Sequence, residues 1–390
     1  MGSQGRRIGK GNNGRMKKPS ALLEQFSGLP DPRTGNAKRH ELLDIVVITL
    51  CAVICYADSW EDVAAFGRTR KKWLKGFLAL PNGIPSHDTF GRVFALLDAK
   101  AFEQCLSAWA RDAAGVILGK TVAVDGKRLR RSHDRYHGTL ALETVSAYLV
   151  SSGLVLGQRK VAEGTNEIQA AAELLSLLDL RGCIVTLDAL HCQTDRARLI
   201  VDKGADYVLA LKGNQAGLLE RVESLFAEAE NSRFTGMRHT RSKTVRKSRG
   251  RVETRVCTVI SDPTCIEYVD FEGRWRQLKA LIRMQRQRAA DAAVEVSYYI
   301  SSCALPAKAL SQIIQQHWGI ENELHYSLDV TFKEDLSRVR MGNAALNLAA
   351  VRRFVFSLLK RETSFKGSLK AKRLSAAWDP DYLLTVLACV

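Results

Sequence analysis

The sequence lacks the features that mark membrane and secreted proteins. Its longest apolar run, Ile45 to Ala57, is too short to span a bilayer and predicts a buried helix. The segment at the N-terminus has no apolar centre, so it is not expected to be a secretory signal. We therefore expect no membrane partner and a cytoplasmic location.

Paired cysteines are also missing. The 9 cysteines are scattered along the chain and no C-x-x-C pair occurs, so we expect reduced and mostly buried thiols rather than a disulfide framework. Cys192 follows His191, but the further ligands that a zinc site needs do not stand nearby in the sequence. Structural zinc and disulfide-dependent folding are therefore not expected.

Acidic residues are outnumbered by basic ones. The chain has 58 Lys and Arg against 41 Asp and Glu, which gives a formal net charge of +17. An excess of this size favours a polyanionic partner, and nucleic acid is the candidate because no lipid-binding feature accompanies the charge. A length of 390 residues with 46% hydrophobic residues allows two or three folded units.

Changes in periodicity along the chain predict its organisation. We expect a basic flexible tail at 1–19, a helical N-terminal domain at 20–115 that either binds DNA or caps its neighbour, the first part of a core at 116–231, a basic β-rich insertion at 232–300, and C-terminal helices with a basic tail at 301–390.

The core segment predicts an α/β fold. From residue 120 the order is three strands, helix, strand, helix, strand, helix, which suits a mixed five-stranded sheet with helices on both faces. The insertion contains a strongly basic hairpin that either contacts a DNA backbone or is an exposed, solvated ribbon. Its candidate DNA-binding residues are Arg241, Lys243, Arg246, Lys247, Arg249 and Arg251.

Two aspartates mark the ends of predicted strands. Asp125 follows "TVAV" and Asp188 follows "IVTL". Side chains at strand ends meet at the rim of an α/β sheet, and two neighbouring carboxylates are kept ionised most readily by a divalent cation. The alternative is that each is an ordinary turn or cap acid.

A helix near residue 320 offers a third acid. His317, Glu321, His325 and Asp329 recur every four residues and share one helix face. An apolar stripe beside them (Ile314, Trp318, Leu324 and Leu328) is expected to pack on the sheet, whereas Glu323 is expected to face solvent. Glu321 is therefore the candidate third metal ligand, unless this is only a polar helix face.

The motifs "AVDGKRLRRS", "TLDALHCQ", "DYVLALKGNQ" and "HWGIENELHYSLDVTFKEDLSRVRMGNAALNLAAVRR" resemble the H-repeat-associated group of DDE insertion-sequence transposases. The stretch "LPDPRTGNAKRHELLDIVVITLCAVICYADSWEDV" is similar to the N-terminal domain associated with that group. The resemblance implies an RNase H-like catalytic domain and a triad of Asp125, Asp188 and Glu321. It departs from the wider superfamily at Ile314, His317 and Leu328, where Tyr, Arg and Lys are usual. Lys212 or Arg338 is the candidate for the missing contact, and Asp329 is the reserve acid.

The function implied is transposition of an insertion sequence. Two Mg²⁺ (or Mn²⁺) ions would support cleavage of DNA at the element ends, followed by attack of the freed 3′-hydroxyl on target DNA. The partners would be double-stranded DNA and further copies of the chain, as a homodimer or larger assembly on the nucleoid. A nuclease without joining activity and a DNA-binding protein with a decayed site are the alternatives.

Several side chains are expected to hold the DNA. Asn214 and Gln215 would reach a flipped base or a sugar edge, or else cap the helix that follows them. The remaining candidates beside the acids, most of them expected to contact phosphates, are Lys127, Arg128, Arg130, Arg131, Lys212, His317, His325, Arg338 and Arg340.

Overall fold

A computed structural model describes residues 19–133, 136, 138, 140–248, 251–289 and 292–390, with the backbone alone at Asn36, Ala37, Ser248 and Arg251. The fold is a mixed α/β arrangement of one large sheet and many helices. No helix in these ranges is long and apolar enough to cross a membrane. The nine cysteines are free, six of them buried and three half-buried.

The first part of the chain is helical, as predicted. Ser59 caps the third helix through a capping box: its side chain accepts a hydrogen bond from the Asp62 backbone, and the Asp62 carboxylate accepts one from the Ser59 backbone. The helices are α1 (Ser20–Ser27), α2 (Leu42–Ile54), α3 (Trp60–Thr69), α4 (Lys71–Leu74), α5 (His87–Leu96) and α6 (Ala99–Ala114).

The order of elements predicted for the core is confirmed. Strands alternate with helices where β-branched runs give way to amphipathic segments. The elements are β1 (Thr121–Arg128), β2 (Glu143–Leu149), β3 (Leu154–Lys160), α7 (Glu167–Leu177), β4 (Ile184–Leu187), α8 (Thr194–Asp202), β5 (Asp206–Leu211) and α9 (Ala216–Asn231).

The prediction of a five-stranded sheet is wrong, because the sheet has nine strands in the order β3-β2-β1-β4-β5-β9-β8-β7-β6. The last strand of the expected insertion runs antiparallel to β5 and joins all four additional strands to the core sheet. Residues of β5 and their partners near residue 300 are about 90 positions apart in the sequence, so no local pattern predicts that these strands pair. The added elements are β6 (His239–Ser248), β7 (Arg251–Ile260), α10 (Pro263–Val269), β8 (Ala280–Gln287) and β9 (Glu295–Ser301).

The C-terminal part is helical and contains one irregularity. A single turn of π-helix at Ile320–His325 interrupts the long helix near residue 320. The segments are α11 (Ala307–Gly319), the π-helical turn, α12 (Tyr326–Val330), α13 (Ala344–Arg361), α14 (Leu369–Trp378) and α15 (Pro380–Leu387).

A separate N-terminal helical domain is not confirmed. The helices before residue 115 share one continuous hydrophobic core with the sheet and α13. Phe354 of α13, for example, makes edge-to-face ring contacts with Phe26 and Trp109. Apolar faces on the N-terminal helices predicted burial, but not which element would cover them.

Arg373 of α14 joins the two ends of the chain. Its guanidinium stacks over the rings of Tyr56, at 4.0 Å, and Phe332, at 4.4 Å. It also donates hydrogen bonds to the carbonyl oxygens of Val53, near the end of α2, and Thr331. The side chain is fully buried, so a cation near the C-terminus satisfies the last turn of a helix near the N-terminus.

Candidate active site

Asp125 and Asp188 lie side by side at the end of a parallel strand pair. Strands β1 and β4 are neighbours, and their last aligned residues are Val124 and Leu187. Each aspartate is the next residue along its own strand, so both reach the same rim, as expected from the sequence. Strand β1 does not end there but continues to Arg128 through its pairing with β2.

The π-helical turn brings Glu321 to this rim. The extra residue in the turn shifts the helix phase, so that Ile320, Leu324 and Leu328 are buried while Glu321 faces outward. The predicted apolar stripe is therefore wrong at one position, because Trp318 is 49% exposed.

Glu323 also departs from expectation. It is half-buried, accepts a hydrogen bond from the Tyr148 hydroxyl and pairs with Lys360 at 2.6 Å. It is therefore held by Tyr148 and Lys360 and is not a freely solvated side chain, although 43% of it remains exposed.

A fourth carboxylate, which the sequence did not suggest, stands beside Asp125. Glu167, the first residue of α7, packs against the backbone of Gly126: a Cβ atom placed there would lie 2.4–2.6 Å from the three carboxyl atoms. The imidazole Nε2 of His191, which is fully buried, lies 3.0 Å from Glu167 Oε1. The only sequence signal was the glycine in "AVDG". A residue without a side chain leaves room for another group beside the strand.

Burial and neighbouring acids raise the pKa of Asp125 and of Glu321. Burial, followed by the charges of Glu167, Glu321 and Asp188, raises the pKa of Asp125 to about 7. Burial and the charge of Asp188 also raise the pKa of Glu321. Carboxyl groups whose pKa is raised by burial and by neighbouring acids are typical of functional sites.

Two histidines adjoin the acids and are held neutral. His317 Nδ1 lies 3.0 Å from the Thr186 hydroxyl, and burial lowers the pKa of its imidazole. His325 Nδ1 lies 3.5 Å from Asp125 Oδ2, and burial together with the cations Arg353 and Lys127 lowers the pKa of His325 to about 3. Neither imidazole therefore supplies the positive charge that the acids lack.

A buried ion pair supports the strands behind Asp125. Arg353 of α13 pairs with Glu334 at 2.9 Å, and it also donates to the hydroxyls of Ser146 and Thr144 on β2. Ser146 is the residue paired with Asp125 across the two strands. The side chains of Arg353 and Glu334 are 2% and 0% exposed, so the charges stabilise each other away from solvent.

The carboxylate oxygens are the type of ligand that a hard divalent cation prefers, but they are not arranged around a single ion position. Asp188 Oδ1 is buried and has no hydrogen-bond partner among the residues that the structure describes, so this carboxylate oxygen can accept a ligand. Among the described residues, however, no group of three or more Asp, Glu, His or Cys side chains is spaced to hold a single ion. Small side-chain movements would be needed to bring the carboxylates onto a metal.

Lys127 and Asp329 form a salt bridge. The Lys127 ammonium group is buried and lies 2.5 Å from Asp329 and 3.6 Å from Asp335. It is therefore not free to contact a phosphate as the sequence suggested, and the reserve acid Asp329 is engaged in neutralising it. Arg130 is exposed beside them and pairs with Asp335 at 3.2 Å.

Asn214 and Gln215 face the protein rather than a ligand. Asn214 donates a hydrogen bond to the carbonyl oxygen of Ala189, and Gln215 donates one to that of Cys192. Neither side chain caps α9. Both tie the turn after β5 to the turn after β4, so they position the backbone that carries Asp188.

A groove of about 1020 Å³ opens from the acids toward the basic hairpin. Asp188, His317, Trp318 and Glu321 lie at one end. Its cations are Lys212, Arg246, Arg255, Arg286 and Arg288, of which only Lys212 and Arg246 were predicted to bind DNA. Glu253 pairs with Arg255 and Arg286, which holds these two guanidinium groups in place.

The other predicted DNA contacts are dispersed. Arg128 and Arg131 are exposed beyond Asp125, and Arg340 donates weakly to the Arg131 carbonyl oxygen. Arg338 and Arg340 line a different cavity, against α3 and α5. Arg241, Lys243 and Lys247 are exposed on β6, while Arg249 and the side chain of Arg251 lie outside the described residues.

Comparison with known families decides the relationship. Residues 92–357 match the transposase DDE domain, and residues 23–110 match the DDE_Tnp_1-associated family. This chain belongs to the DDE transposase family. The resemblance noted in the motifs is thereby confirmed.

Relatives extend the match over almost the whole chain. YncI of Escherichia coli O157:H7 is 39% identical over 94% of each chain, and the H repeat-associated YhhI of E. coli K12 is 38% identical over 94% of this transposase and 97% of YhhI. Both carry provisional transposase names. A cryo-EM structure of a piggyBac transposase synaptic complex with hairpin DNA aligns over 95% of this chain and 79% of that chain, at 11% identity and a TM-score of 0.46, a likeness too distant to support a conclusion.

Proposed function

We propose that this transposase cleaves DNA at the ends of a mobile element and joins the freed 3′ ends to target DNA. The single observation that carries the proposal is the convergence of Asp125, Asp188 and Glu321 at one rim, with Glu167 beside them. The groove of cations that opens from this rim supplies a path for the phosphate backbone. The same proposal includes an RNase H-like core and association with the nucleoid.

The four carboxylates are the residues that would hold Mg²⁺ or Mn²⁺. When bound, a pair of such ions supplies an activated oxygen nucleophile and charge stabilisation for the leaving oxygen. Asp125, which interacts with the other three acids, would hold the ions together with Asp188, Glu321 and Glu167. His191 keeps Glu167 oriented toward the site through its 3.0 Å contact.

Other side chains would position the DNA. Lys212 and Arg246 lie in the groove without an ion pair to any described acid, so they can contact phosphates directly. Arg128, Arg130 and Arg131 would extend the contact beyond Asp125. A homodimer or larger assembly would then bring two element ends to one target.

The test is cleavage and joining by purified protein on a labelled duplex that carries an element end, with Mg²⁺ or Mn²⁺. We expect Asp125→Asn, Asp188→Asn and Glu321→Gln each to reduce both products at least about 100-fold, a change of roughly 2.7 kcal/mol in the barrier. Glu323→Gln is the matched control, since it lies two residues from Glu321 but outside the site. Cut DNA without joined product would favour a nuclease, and activity in any of the three variants would remove that acid from the site.

A further inference from the structure

The cations of the β6–β7 hairpin lie on two opposite faces of the sheet. Side chains alternate along a strand, so Arg246 and its neighbour across the hairpin, Glu253, point to one face with Arg255 of β7. The same face packs against α11 through Cys257 and Met284. Arg246 therefore belongs to the groove that contains Asp188 and Glu321.

Arg241, Lys243 and Lys247 point to the other face. Arg241 is aligned with Thr258, Arg283 and Tyr298 across the four strands, and this row packs on α9 through the ring of Phe226. Lys243 and Lys247 lie on the same side. None of the three cations lines the catalytic groove.

These three cations are not used within the described part of the protein. Arg241, Lys243 and Lys247 are exposed and form no ion pair or side-chain hydrogen bond with a described residue. Glu230 forms an ion pair with Arg283, and the charge of Arg241 also acts on it without a direct contact. Arg241 and Lys243 are alternate residues of the strand and lie about 6.8 Å apart, which matches the rise of two phosphates, each about 3.4 Å, along one DNA strand.

The hairpin is too wide at Arg241 and Lys243 to enter a groove of DNA. A single duplex therefore cannot surround it there and contact both faces. The portion that carries Arg241 and Lys243 lies in a four-stranded sheet, because β7 pairs with β8 and β8 pairs with β9 there. Four strands are about 14 Å wide between the outer backbones, whereas a major groove is about 12 Å wide. DNA in the catalytic groove therefore leaves the part of the outer face that carries Arg241 and Lys243 unoccupied, while Lys247 extends this face at the two-stranded tip of the hairpin.

We propose that the outer face of β6, formed by Arg241, Lys243 and Lys247, binds the backbone of a second DNA duplex while the first occupies the catalytic groove. This inference rests on the proposed function, in which a cut end and a target must be held together. The contacts are to phosphates, so the second duplex is bound without regard to its sequence.

The experiment is a bridging assay carried out in EDTA, so that it does not depend on chemistry. A biotinylated duplex carrying an element end is immobilised with the protein, and capture of a fluorescent, unrelated duplex is measured. We expect the combined Arg241→Gln, Lys243→Gln and Lys247→Gln variant to bind the first duplex within about threefold of the wild type and to capture the second at least tenfold less well. Loss of three phosphate contacts should also reduce the salt dependence of capture.

The control removes three exposed cations elsewhere, with Lys100→Gln, Arg111→Gln and Lys366→Gln, and should leave capture unchanged. The proposal is overturned if the hairpin variant captures the second duplex normally, if it loses affinity for the first duplex to the same extent, or if the wild type captures no second duplex. Reduced capture by a protein that never cleaves DNA would support this surface and refute the proposed activity alone.

Discussion

The backbone of Gly126 lies directly against the carboxyl group of Glu167. A Cβ atom at residue 126 would lie 2.4 Å from the Glu167 carboxyl carbon, so the carboxyl group would have to move away. The strand that carries Asp125 and the helix that carries Glu167 can approach this closely only because residue 126 has no side chain. The glycine thus sets how near the fourth carboxylate lies to the first.

Gly126→Ala should displace the Glu167 carboxyl group and destabilise the protein by about 0.5–1.5 kcal/mol, since the displaced atoms are the end of a flexible side chain that must leave its preferred rotamer. Urea denaturation measures the change. Combining it with Glu167→Ala should recover most of the lost stability, because the clash is then absent. Additive effects of the two substitutions would show that the contact is unimportant.

Glu167→Gln should weaken binding of Mn²⁺, measured by isothermal calorimetry, by at least about tenfold, because it removes one anionic ligand without changing shape. Glu173→Gln provides the comparison, since Glu173 is exposed on the same helix. Unchanged or tighter binding in the Glu167 variant would leave Glu167 as a neighbour of the site rather than a ligand.

The metal-free protein should become less stable as the pH rises from about 4 to about 7. The pKa of Asp125 is raised to about 7, so the folded state holds this proton more tightly than the unfolded chain does. The resulting stabilisation is fully present below the unfolded pKa and is lost as the pH passes the folded pKa. Urea denaturation between pH 4 and pH 8 tests this, and Asp125→Asn should remove the corresponding part of the slope. An identical slope in that variant would contradict the assignment.

Arg353→Leu should cost about 3–5 kcal/mol of unfolding free energy, because it leaves Glu334 charged and completely buried. Adding Glu334→Leu should restore a substantial part of that loss in chemical denaturation experiments. A loss below about 1 kcal/mol in the single variant would mean that Glu334 becomes protonated at little cost.

Local patterns predicted the elements of the core and where its acids lie. "TVAVD" and "IVTLD" each place an aspartate just beyond a β-branched run, and the parallel pairing of those runs brings the two acids together. The four-residue spacing around Glu321 likewise predicted a polar face. These features were accessible because each depends on a few consecutive residues.

Features that depend on distant partners were not accessible. Glu167 is 42 positions from Asp125 in the sequence, and nothing around it marks it as part of a site. The pairing of β9 with β5 gave the sheet nine strands, and the π-helical turn changed which residues of the helix face the sheet. Lys127 was misinterpreted for the same reason, since its partners Asp329 and Asp335 lie at the other end of the chain.

Arg373 has a consequence for how the protein is made. The rings of Tyr56 and Phe332 and the carbonyl oxygen of Val53 receive their common partner only after residue 373 has left the ribosome. Until then, the helix that ends at Ile54 has no cation at its last turn. A nascent chain in which Asp125, Asp188 and Glu321 have already been synthesised therefore still lacks the buried cation that the end of α2 and the ring of Phe332 share.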